Sequence, residues 1–543
     1  MQQLVFEPPF DPLYHPYPSY RAPVYARRGM VATSQPLAAQ AGLDALKRGG
    51  NAVDAAIATA AALTVVEPCS NGIGGDVFAL VWTGGKLHGL NASGPAPRSI
   101  TVEAVRAAGF SEMPPYGPLP VTVPGAPAAW AELSRRFGRL SLAETLEPAI
   151  RYAEEGYPVS PTVADIWGRT FEQYRHTLKE PCFRSWFDVF APAGRPPAAG
   201  ELWASPGHAR SLRAIGSSGA EAFYLGELAE RIAACMREAG GCLSEEDLAA
   251  FRPEWVEPIG VSYRGYEVWE MPPNGQGLVA LLALNALKGF EGLHAGSVDT
   301  YHKQLEAMKL AFADGQRYIT DPACMTANVR DLLSDRYAAE RRALIGRRAS
   351  LPDAGKPQGG GTVYLAAADG EGGMVSFIQS NYMKFGSGLV VPGTGIALQN
   401  RGCDFSLEDG SVNRLEPGKR TYHTIIPGFL TREGEAVGCF GVMGAYMQPQ
   451  GHVQAVMNMI DFGLHPQAAL DAPRWQWTGG RTVLVEPGFP PAAAQSLARL
   501  GHDIRFAPDS GGFGRGQIIR RDPATGVLCG GTEWRTDGAI AVW

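Results

Sequence analysis

The stretch GGGTVYLAAAD, residues 359–369, is the part of the sequence that decides the fold. Three glycines precede a lone threonine, and glycine reaches backbone conformations that other residues avoid, so the peptide before Thr362 can be bent and strained. The residues from Val363 onward favour an extended strand that would hold the threonine rigidly. Cleavage of the Gly361–Thr362 bond would leave a threonine with a nucleophilic hydroxyl and a new α-amino group as its base. Taken alone, the same stretch also fits an ordinary glycine-rich turn.

The composition is that of a globular protein with ample apolar material for a large core. The chain has 543 residues, of which 45% are hydrophobic and 19% are charged. The net charge of −6 provides no basic surface for nucleic acid and no polybasic patch for a membrane. The eight cysteines form no CxxC pair, so neither a zinc site nor a disulfide framework is indicated, and no metal or other cofactor is expected. No signal-peptide pattern and no long apolar run is present, so we expect a cytoplasmic protein.

Helical patterns dominate the first part of the chain. A helix is predicted from Gln35 to Gly50, and Asn51, with Asp54 three residues later, caps a second helix that is apolar nearly all round. Further predictions are a close-packed glycine turn in 66–76, a hairpin of FALVWT (78–83) and KLHGLNAS (86–93), helices in 126–157 and 300–318, and a strand running into a turn in 263–277.

Strand-like runs dominate after Thr362. They are VYLAAA (363–368), MVSFIQS (374–380), GIALQ (395–399), TIIPGFL (424–430), EAVGCFGV (435–442) and RTVLVEP (481–487), with helices expected in 452–462 and 489–500. A helix-rich first part and a strand-rich second part predict an α+β protein whose sheets are covered by helices.

Five collinear blocks of the chain point to a known family. They are GMVATSQPLAAQAGLDALKRGGNAVDAAIATAAAL (29–63), VEPCSNGIGGD (66–76), VTVPG (121–125), EAMKLAFADGQRYITDP (306–322) and IDFGLHPQAALDAPRW (460–475). On these blocks the chain resembles the gamma-glutamyltranspeptidases (glutathione hydrolases), which are N-terminal nucleophile hydrolases. The resemblance implies a four-layer αββα sandwich made by a precursor that cleaves itself. Its segments 1–361 and 362–543 would form one compact unit, a heterodimer of two chains that can dimerise further.

The resemblance also assigns roles to the chemical residues. Thr362 occupies the place of the nucleophile, and cleavage would fall between Gly361 and Thr362. The family's double-glycine turn, which supplies two N–H donors to the oxyanion, aligns with Gly444 and Ala445. Counting without gaps, Ser380 falls where the family has a threonine that orients the nucleophile. A serine near a turn is the plain alternative for Ser380.

The substrate pocket of this chain departs from the family pattern. Ser93 stands where the resemblance requires an arginine for the glutamyl carboxylate, and His423 and Thr424 align with the family's paired serines. His423 is either a substrate contact or a histidine satisfied within the protein. Asp404, which would hold the α-ammonium group, is retained.

A cation lies next to the retained carboxylate. Arg401 stands three residues before Asp404, where the family has a neutral or acidic side chain, and its neighbour Asn400 is also predicted to contact substrate. Arg401 would partly neutralise the ammonium site by pairing with Asp404, unless the two form a plain surface salt bridge.

Three functions stay open on the sequence. The first is a self-cleaving amidase that passes a γ-glutamyl or related acyl group from a small amide to water or an amine. The second is an acylase of the glutaryl-cephalosporin type, whose acyl group lacks an α-ammonium. The third is an inert, unprocessed scaffold, against which the retained Gly361-Thr362 pair and Gly444 argue.

Overall fold

The structure, a computed structural model, describes residue 17 and residues 21–351 and 362–543. The helices in these ranges are α1 (Pro36–Lys47), α2 (Ala52–Val66), α3 (Val102–Ala107), α4 (Ala126–Phe137), α5 (Leu142–Glu155), α6 (Pro161–Thr177), α7 (Arg184–Phe190), α8 (Pro206–Ser218), α9 (Glu221–Tyr224), α10 (Glu227–Glu238), α11 (Glu245–Ala250), α12 (Gly277–Leu287), α13 (Val298–Tyr318), α14 (Val329–Leu332), α15 (Asp335–Ala343), α16 (Met447–Ile460), α17 (Pro466–Asp471) and α18 (Pro491–Arg499). Among the described residues, none of these helices is long and apolar enough to cross a membrane.

The strands form two large sheets and two small ones. They are β1 (Val24–Ala26), β2 (Gly29–Thr33), β3 (Asp76–Thr83), β4 (Lys86–Ala92), β5 (Tyr157–Pro158), β6 (Leu202–Trp203), β7 (Glu254–Val256), β8 (Ile259–Tyr263), β9 (Tyr266–Glu270), β10 (Val363–Asp369), β11 (Met374–Ser380), β12 (Gly428–Arg432), β13 (Glu435–Met443), β14 (Trp475–Gly479), β15 (Thr482–Val485), β16 (Asp503–Phe506), β17 (Arg515–Arg521), β18 (Leu528–Thr532) and β19 (Ala539–Val542). One seven-stranded sheet has the order β19-β2-β10-β11-β3-β4-β7 and the other β1-β18-β17-β13-β12-β9-β8. Both are antiparallel throughout.

Alternate residues of β10 belong to different hydrophobic cores. Val363 and Leu365 pack in a core shared with helices, whereas Tyr364 and Ala366 pack in the core between the two large sheets. Because side chains alternate along a strand, each sheet turns one face to the other sheet and one face to helices. On the second sheet, residues of β13 alternate between the core that lies between the two large sheets and a second core shared with helices. The predicted α+β class and the four-layer αββα sandwich are therefore confirmed.

The helical layers account for the two outer cores. Helix α2 is buried in all 15 of its residues, and the predicted cap is present, since Asn51 and Asp54 form a reciprocal capping box. Helices α1, α5 and α8 pack with α2 outside the sheet that contains β10, and helices α12, α13 and α16 cover the other sheet.

Two strand predictions are wrong in part. GIALQ (395–399) forms no strand and contributes only isolated bridges, from Ala397 to Val390 and from Leu398 to Gly74, because this segment lies across the glycine turn rather than alongside a strand. Of TIIPGFL, only the residues from Gly428 onward are extended in a sheet, since the Thr424 carbonyl and the Ile426 N–H bond to the side chains of Gln276 and Gln448. The thiols of Cys69, Cys439 and Cys529 are buried.

Candidate active site

Thr362 directly precedes β10 and has 1% of its surface exposed. Its Oγ1 is 3.1 Å from the Oγ of Ser380, which ends the neighbouring strand β11. The backbone N–H of Tyr382 donates to the same Ser380 oxygen at 2.8 Å. The Ser380 hydroxyl thus lies within hydrogen-bond distance of the Thr362 hydroxyl, while the orienting role of Ser380 stays a prediction. Gly361, the other side of the predicted cleavage bond, lies outside the described residues.

The turn between β13 and α16 contains the predicted oxyanion donors. Gly444 and Ala445 have φ angles of 134° and 49°, so the alanine adopts the left-handed conformation that glycine takes more readily. The Gly444 carbonyl accepts a hydrogen bond from the Met447 N–H at 2.9 Å. In a trans peptide the C=O and N–H point in opposite directions, so the N–H of Ala445 points away from α16.

The start of β10 lies against the end of β13. A Cβ atom at Gly441, three residues before Gly444, would meet Cε2 of Tyr364 at 2.4 Å. The two strands therefore approach closely only because residue 441 is glycine. The roles of Gly444 and Ala445 as oxyanion donors stay predictions.

Arg401 is fully buried, although its side chain is charged. Its Nη1 donates to Oδ2 of Asp404 at 3.2 Å and to Oγ1 of Thr424 at 2.8 Å. Its guanidinium carbon lies 3.9 Å from the ring centre of Tyr382. The alternative of a surface salt bridge is wrong, because the side chains of Arg401 and Asp404 are 0% and 9% exposed. The predicted pairing itself is confirmed.

One edge of the Arg401 guanidinium is unpaired. Its Nε and Nη2 have no hydrogen-bond partner among the described residues. The N–H groups of these two nitrogens lie parallel on one side of the planar group, which is the arrangement that binds both oxygens of a carboxylate. A buried donor pair of this kind carries a desolvation cost until an acceptor meets it.

Asp404 is held on both of its oxygens by the protein. Its Oδ1 accepts a hydrogen bond from the Tyr382 hydroxyl at 2.6 Å, and its Oδ2 accepts the bond from Arg401. Burial raises the pKa of Asp404, while Arg401 and the tyrosine hydroxyl act to lower it. A substrate ammonium group would therefore have to compete with a resident guanidinium for this carboxylate.

His423 is bonded on both ring nitrogens within the protein. Its Nε2 is 2.8 Å from Oδ2 of Asp76, and its Nδ1 accepts from the Ile425 N–H, so Nε2 carries the proton and donates. Burial lowers the pKa of His423 well below its ordinary value, and Arg401 lowers it further. Burial also raises the pKa of Asp76 to about 7, against the lowering effect of Arg401. The structure favours the alternative of a satisfied histidine over a substrate contact.

Ser93 and Asn400 are likewise bound into the protein. The Ser93 hydroxyl donates to Oδ1 of Asn91 at 2.7 Å, and the Ser93 carbonyl accepts from Nε of Arg420 at 3.0 Å. Asn400 donates to the carbonyl of Pro115 and accepts from the N–H of Met383, so it shapes the loop beside Arg401. Their contacts with substrate stay predictions.

The glycine turn in 66–76 packs against the end of β11. A Cβ at Gly75 would lie 2.4 Å from the Ser380 carbonyl oxygen, and a Cβ at Gly74 would lie 2.3 Å from the Ala397 carbonyl oxygen. The predicted close-packed turn is confirmed, and its close approach fixes the strand end that carries Ser380.

Sequence reasoning missed Tyr382 and Asp76. Tyr382 has a φ of 72°, which is uncommon for a bulky residue, and it links Ser380 to Arg401 and Asp404. Its spacing of two residues from Ser380 was the available signal. Asp76 gave none, because only the fold brings it to His423, 347 positions later.

The fold also assembles a cluster that the sequence did not indicate. Possible ligand atoms of His302, Glu306 and His502 lie within 4.8 Å of one another. The ammonium group of Lys309 is 2.7 Å from Glu306 and 3.5 Å from Nδ1 of His502. A protein cation thus already neutralises Glu306, so the cluster does not fit a metal ion without displacement of Lys309.

Comparison with known proteins identifies the family of the chain. The family model described as gamma-glutamyltranspeptidase matches residues 38–543. The chain belongs to the gamma-glutamyltranspeptidase family. Its fold is that of the N-terminal nucleophile hydrolases, because a cephalosporin acylase from Bacillus halodurans superposes with a TM-score of 0.95 at 65% identity, over 98% of this chain and 99% of that one.

Two curated members of the family are similar over almost the whole chain. A glutathione hydrolase-like YwrD proenzyme from Bacillus subtilis is 38% identical over 95% of this chain and 98% of its own length. An oxamate amidohydrolase proenzyme from Klebsiella pneumoniae is 36% identical over 94% of this chain and 98% of its own length. The chain is therefore a member of an enzyme family of amide hydrolases.

Proposed function

We propose that this protein is a self-cleaving amidohydrolase of the acylase type, whose substrates carry a carboxylate on the acyl group and no α-ammonium group. The observation that carries the proposal is Arg401, which is buried, pairs with Asp404 and keeps one guanidinium edge unpaired among the described residues. Arg401 closes the ammonium site and offers a carboxylate site in its place.

Maturation in this proposal is an acyl shift followed by hydrolysis. The Thr362 hydroxyl attacks the Gly361 carbonyl carbon, the C–N bond breaks, and the threonine nitrogen leaves as an amine while the acyl group moves to Oγ1. Water then hydrolyses that ester, which yields a carboxylate at Gly361 and a free α-amino group on Thr362. Ser380 contacts the attacking oxygen and orients it.

Turnover repeats the same chemistry on a substrate amide. The hydroxyl of Thr362 attacks the amide carbonyl, and the α-amino group accepts its proton and passes it to the leaving amine. The acyl group remains as an ester on Thr362 until water releases it. The N–H groups of Gly444 and Ala445 stabilise the oxyanion, and loss of one such donor typically costs on the order of a hundredfold or more in rate.

The named relatives support an acyl group of this kind. Oxamate has a carboxylate beside its amide and no α-ammonium group, and the similar protein of 65% identity is named a cephalosporin acylase. The plain γ-glutamyl alternative draws on Asp404 and on the glutathione hydrolase-like relative. These two readings differ in what they require at the ammonium site.

Three p-nitroanilides of matched length distinguish the readings. We expect the glutaryl anilide to be cleaved with a higher kcat/KM than the pentanoyl anilide, which lacks the carboxylate, and than the γ-glutamyl anilide. A charge-assisted bond contributes about 1.5–3 kcal/mol, so the preference should be roughly ten- to a hundredfold. Efficient cleavage of the γ-glutamyl anilide or of glutathione at low KM would contradict the proposal.

Arg401→Lys is the sharpest variant for this test. Lysine keeps the positive charge but lacks the planar fork, so the preference for glutaryl over pentanoyl should fall roughly tenfold or more while pentanoyl cleavage changes less. An unchanged preference would show that another residue holds the carboxylate.

Self-cleavage is tested on a denaturing gel. Wild type should give two fragments, with Thr362 at the N-terminus of the smaller one, and Thr362→Ala should stay one chain. A single wild-type band near 57.9 kDa would favour the inert scaffold instead.

A further inference from the structure

Gln276 connects the two halves of the candidate site. It lies in the turn NGQG that follows β9, directly before α12, and its side chain is completely buried. Its Nε2 donates to the Thr424 carbonyl at 2.7 Å and to the Ala445 carbonyl at 2.8 Å. Thr424 bonds to Arg401, and we call Arg401, Asp404 and Thr424 the Arg401 pocket. Ala445 lies in the turn Gly444–Ala445, which we call the oxyanion turn. One amide group therefore bonds to both.

The orientation of this amide follows from its partners. The two carbonyls can only accept hydrogen bonds, so the NH₂ group must face them, and Oε1 then accepts from the Tyr422 hydroxyl at 3.1 Å. The backbone N–H of Gln276 also donates to the carbonyl of His423 at 2.9 Å. Each polar group of the side chain is therefore used, and the position of the amide is fixed.

The bond to Ala445 acts on a strained residue. Ala445 has a φ of 49°, a left-handed conformation that is unfavourable for alanine because its Cβ lies too close to the backbone. Its carbonyl is held from two sides, by Gln276 and by the N–H of Gln448 at 3.1 Å. These two bonds fix the direction of the Ala445 carbonyl and therefore its ψ angle. They stabilise the backbone conformation in which the N–H of Ala445 points away from α16.

We infer that Gln276 is a positioning residue, which holds the oxyanion turn in register with the Arg401 pocket. This inference rests on the proposed function, since it assumes that the turn stabilises the oxyanion. Without Gln276, the Thr424 carbonyl would lose its side-chain donor, the Ala445 carbonyl would keep only the bond from the Gln448 N–H, and the turn would relax toward an ordinary alanine conformation. The chemical step should suffer more than the binding of the acyl carboxylate, because Arg401 keeps its own contacts with Asp404 and Tyr382.

The test compares Gln276→Met with a matched control, Gln454→Met. Gln454 is also a buried glutamine whose Nε2 donates to two carbonyls, those of Gln450 and Trp475, and its side chain bonds to neither Ala445 nor Thr424. The two variants should lose similar stability in denaturant unfolding. We expect kcat for the glutaryl anilide to fall roughly ten- to a hundredfold in Gln276→Met, with a smaller change in KM, and about twofold or less in Gln454→Met.

A second variant supplies a readout that a merely structural role would not move. In Gln276→Glu the ionised side chain has no donor for either carbonyl, whereas the protonated acid has one. Burial raises the pKa of a carboxyl group, so the kcat of this variant, relative to wild type at each pH, should rise as the pH falls.

The possible outcomes distinguish a failure of the role of Gln276 from a failure of the proposed function. Equal losses of kcat in the two methionine variants, or an unchanged kcat in Gln276→Met, would overturn the role of Gln276. Slow self-cleavage of Gln276→Met beside normal cleavage of Gln454→Met would support it, since maturation uses the same turn. Full activity of Thr362→Ala would instead overturn the proposed function, whatever the glutamine variants do.

Discussion

At the scale of single residues, the proposed function depends on Arg401, a cation whose position is read from the sequence but whose surroundings are not. Arg401 and Asp404 are three positions apart, which is also the spacing of an exposed ion pair. The burial of Arg401 and its contact with Tyr382 show that the pair is a buried one. Both features arise from parts of the chain that meet only in the folded protein. The sequence could therefore predict that Arg401 is important. It could not predict that one edge of its guanidinium is left unpaired by the described residues.

Removing this cation should reopen the ammonium site. In Arg401→Gln, Asp404 loses its charged partner and keeps the hydroxyl of Tyr382. We expect the ratio of kcat/KM for the γ-glutamyl anilide to that for the glutaryl anilide to rise roughly tenfold or more, since charged hydrogen bonds contribute about 1.5–3 kcal/mol each. The same pair of anilides measured on wild type is the control. A ratio that stays constant would show that Asp404 does not meet the substrate.

The strain at Ala445 can be measured in the same way. Ala445→Gly should raise the free energy of unfolding by up to about 1 kcal/mol, because glycine adopts a φ of 49° without the clash of a Cβ, less the entropy that glycine gains in the unfolded chain. Ala220, which has a φ of 72° away from the site, is the matched position. Denaturant unfolding in which neither glycine variant gains stability would contradict the strain.

At the scale of elements, the strands around the nucleophile were predictable because their patterns are local. Runs such as VYLAAA are rich in strand-forming residues and end at clear turns, and β10 and β11 follow them closely. GIALQ carries the same local pattern but lies across the glycine turn, where Gly74 meets Ala397. Sequence alone could not distinguish GIALQ from the runs that form β10 and β11. The difference is whether a strand or the glycine turn lies beside the segment in the folded protein.

The glycine turn gives a prediction at this scale. Gly75→Ala would place a Cβ 2.4 Å from the Ser380 carbonyl oxygen, and because that neighbour is backbone, β11 must shift. We expect a loss of about 1–3 kcal/mol in stability and a fall in kcat, since Ser380 moves relative to Thr362. Gly168→Ala is the opposite control. Gly168 lies inside α6 with nothing within 4 Å, so alanine there should add up to about 1 kcal/mol.

At the scale of the whole molecule, the two predicted segments share both large sheets. Strand β10 lies between β11 and β2, and the other sheet places β9 beside β12. If cleavage occurs before Thr362, the fragments should therefore coelute in gel filtration and separate only when the protein is unfolded. Fragments that separate under native conditions would contradict a shared core. Dimerisation of the pair and a cytoplasmic location stay predictions.

The buried histidine cluster joins the same two segments and should make their association sensitive to acid. Nδ1 of His302 in α13 is 2.9 Å from Nε2 of His502, and Lys309 and Glu306 face the pair, with Arg481 close enough to act on Lys309. Burial, together with the nearby Lys309 and His302, lowers the pKa of His502 to about 3. An unfolded histidine has a pKa of about 6.5.

The sign of the effect follows from these two pKa values. Between pH 6.5 and about 3 the unfolded chain binds a proton at His502 that the folded protein does not, so the stability present above pH 6.5 is lost as the pH falls. The slope from this one group is at most about 1.4 kcal/mol per pH unit.

We therefore expect the free energy of unfolding, measured in denaturant between pH 8 and pH 5, to fall less steeply in His502→Gln than in wild type. Glutamine does not titrate, and its amide can still reach His302. His176→Gln, at an exposed position on α6, is the control and should follow wild type. Parallel curves for wild type and His502→Gln would show that the cluster does not take up the proton on unfolding.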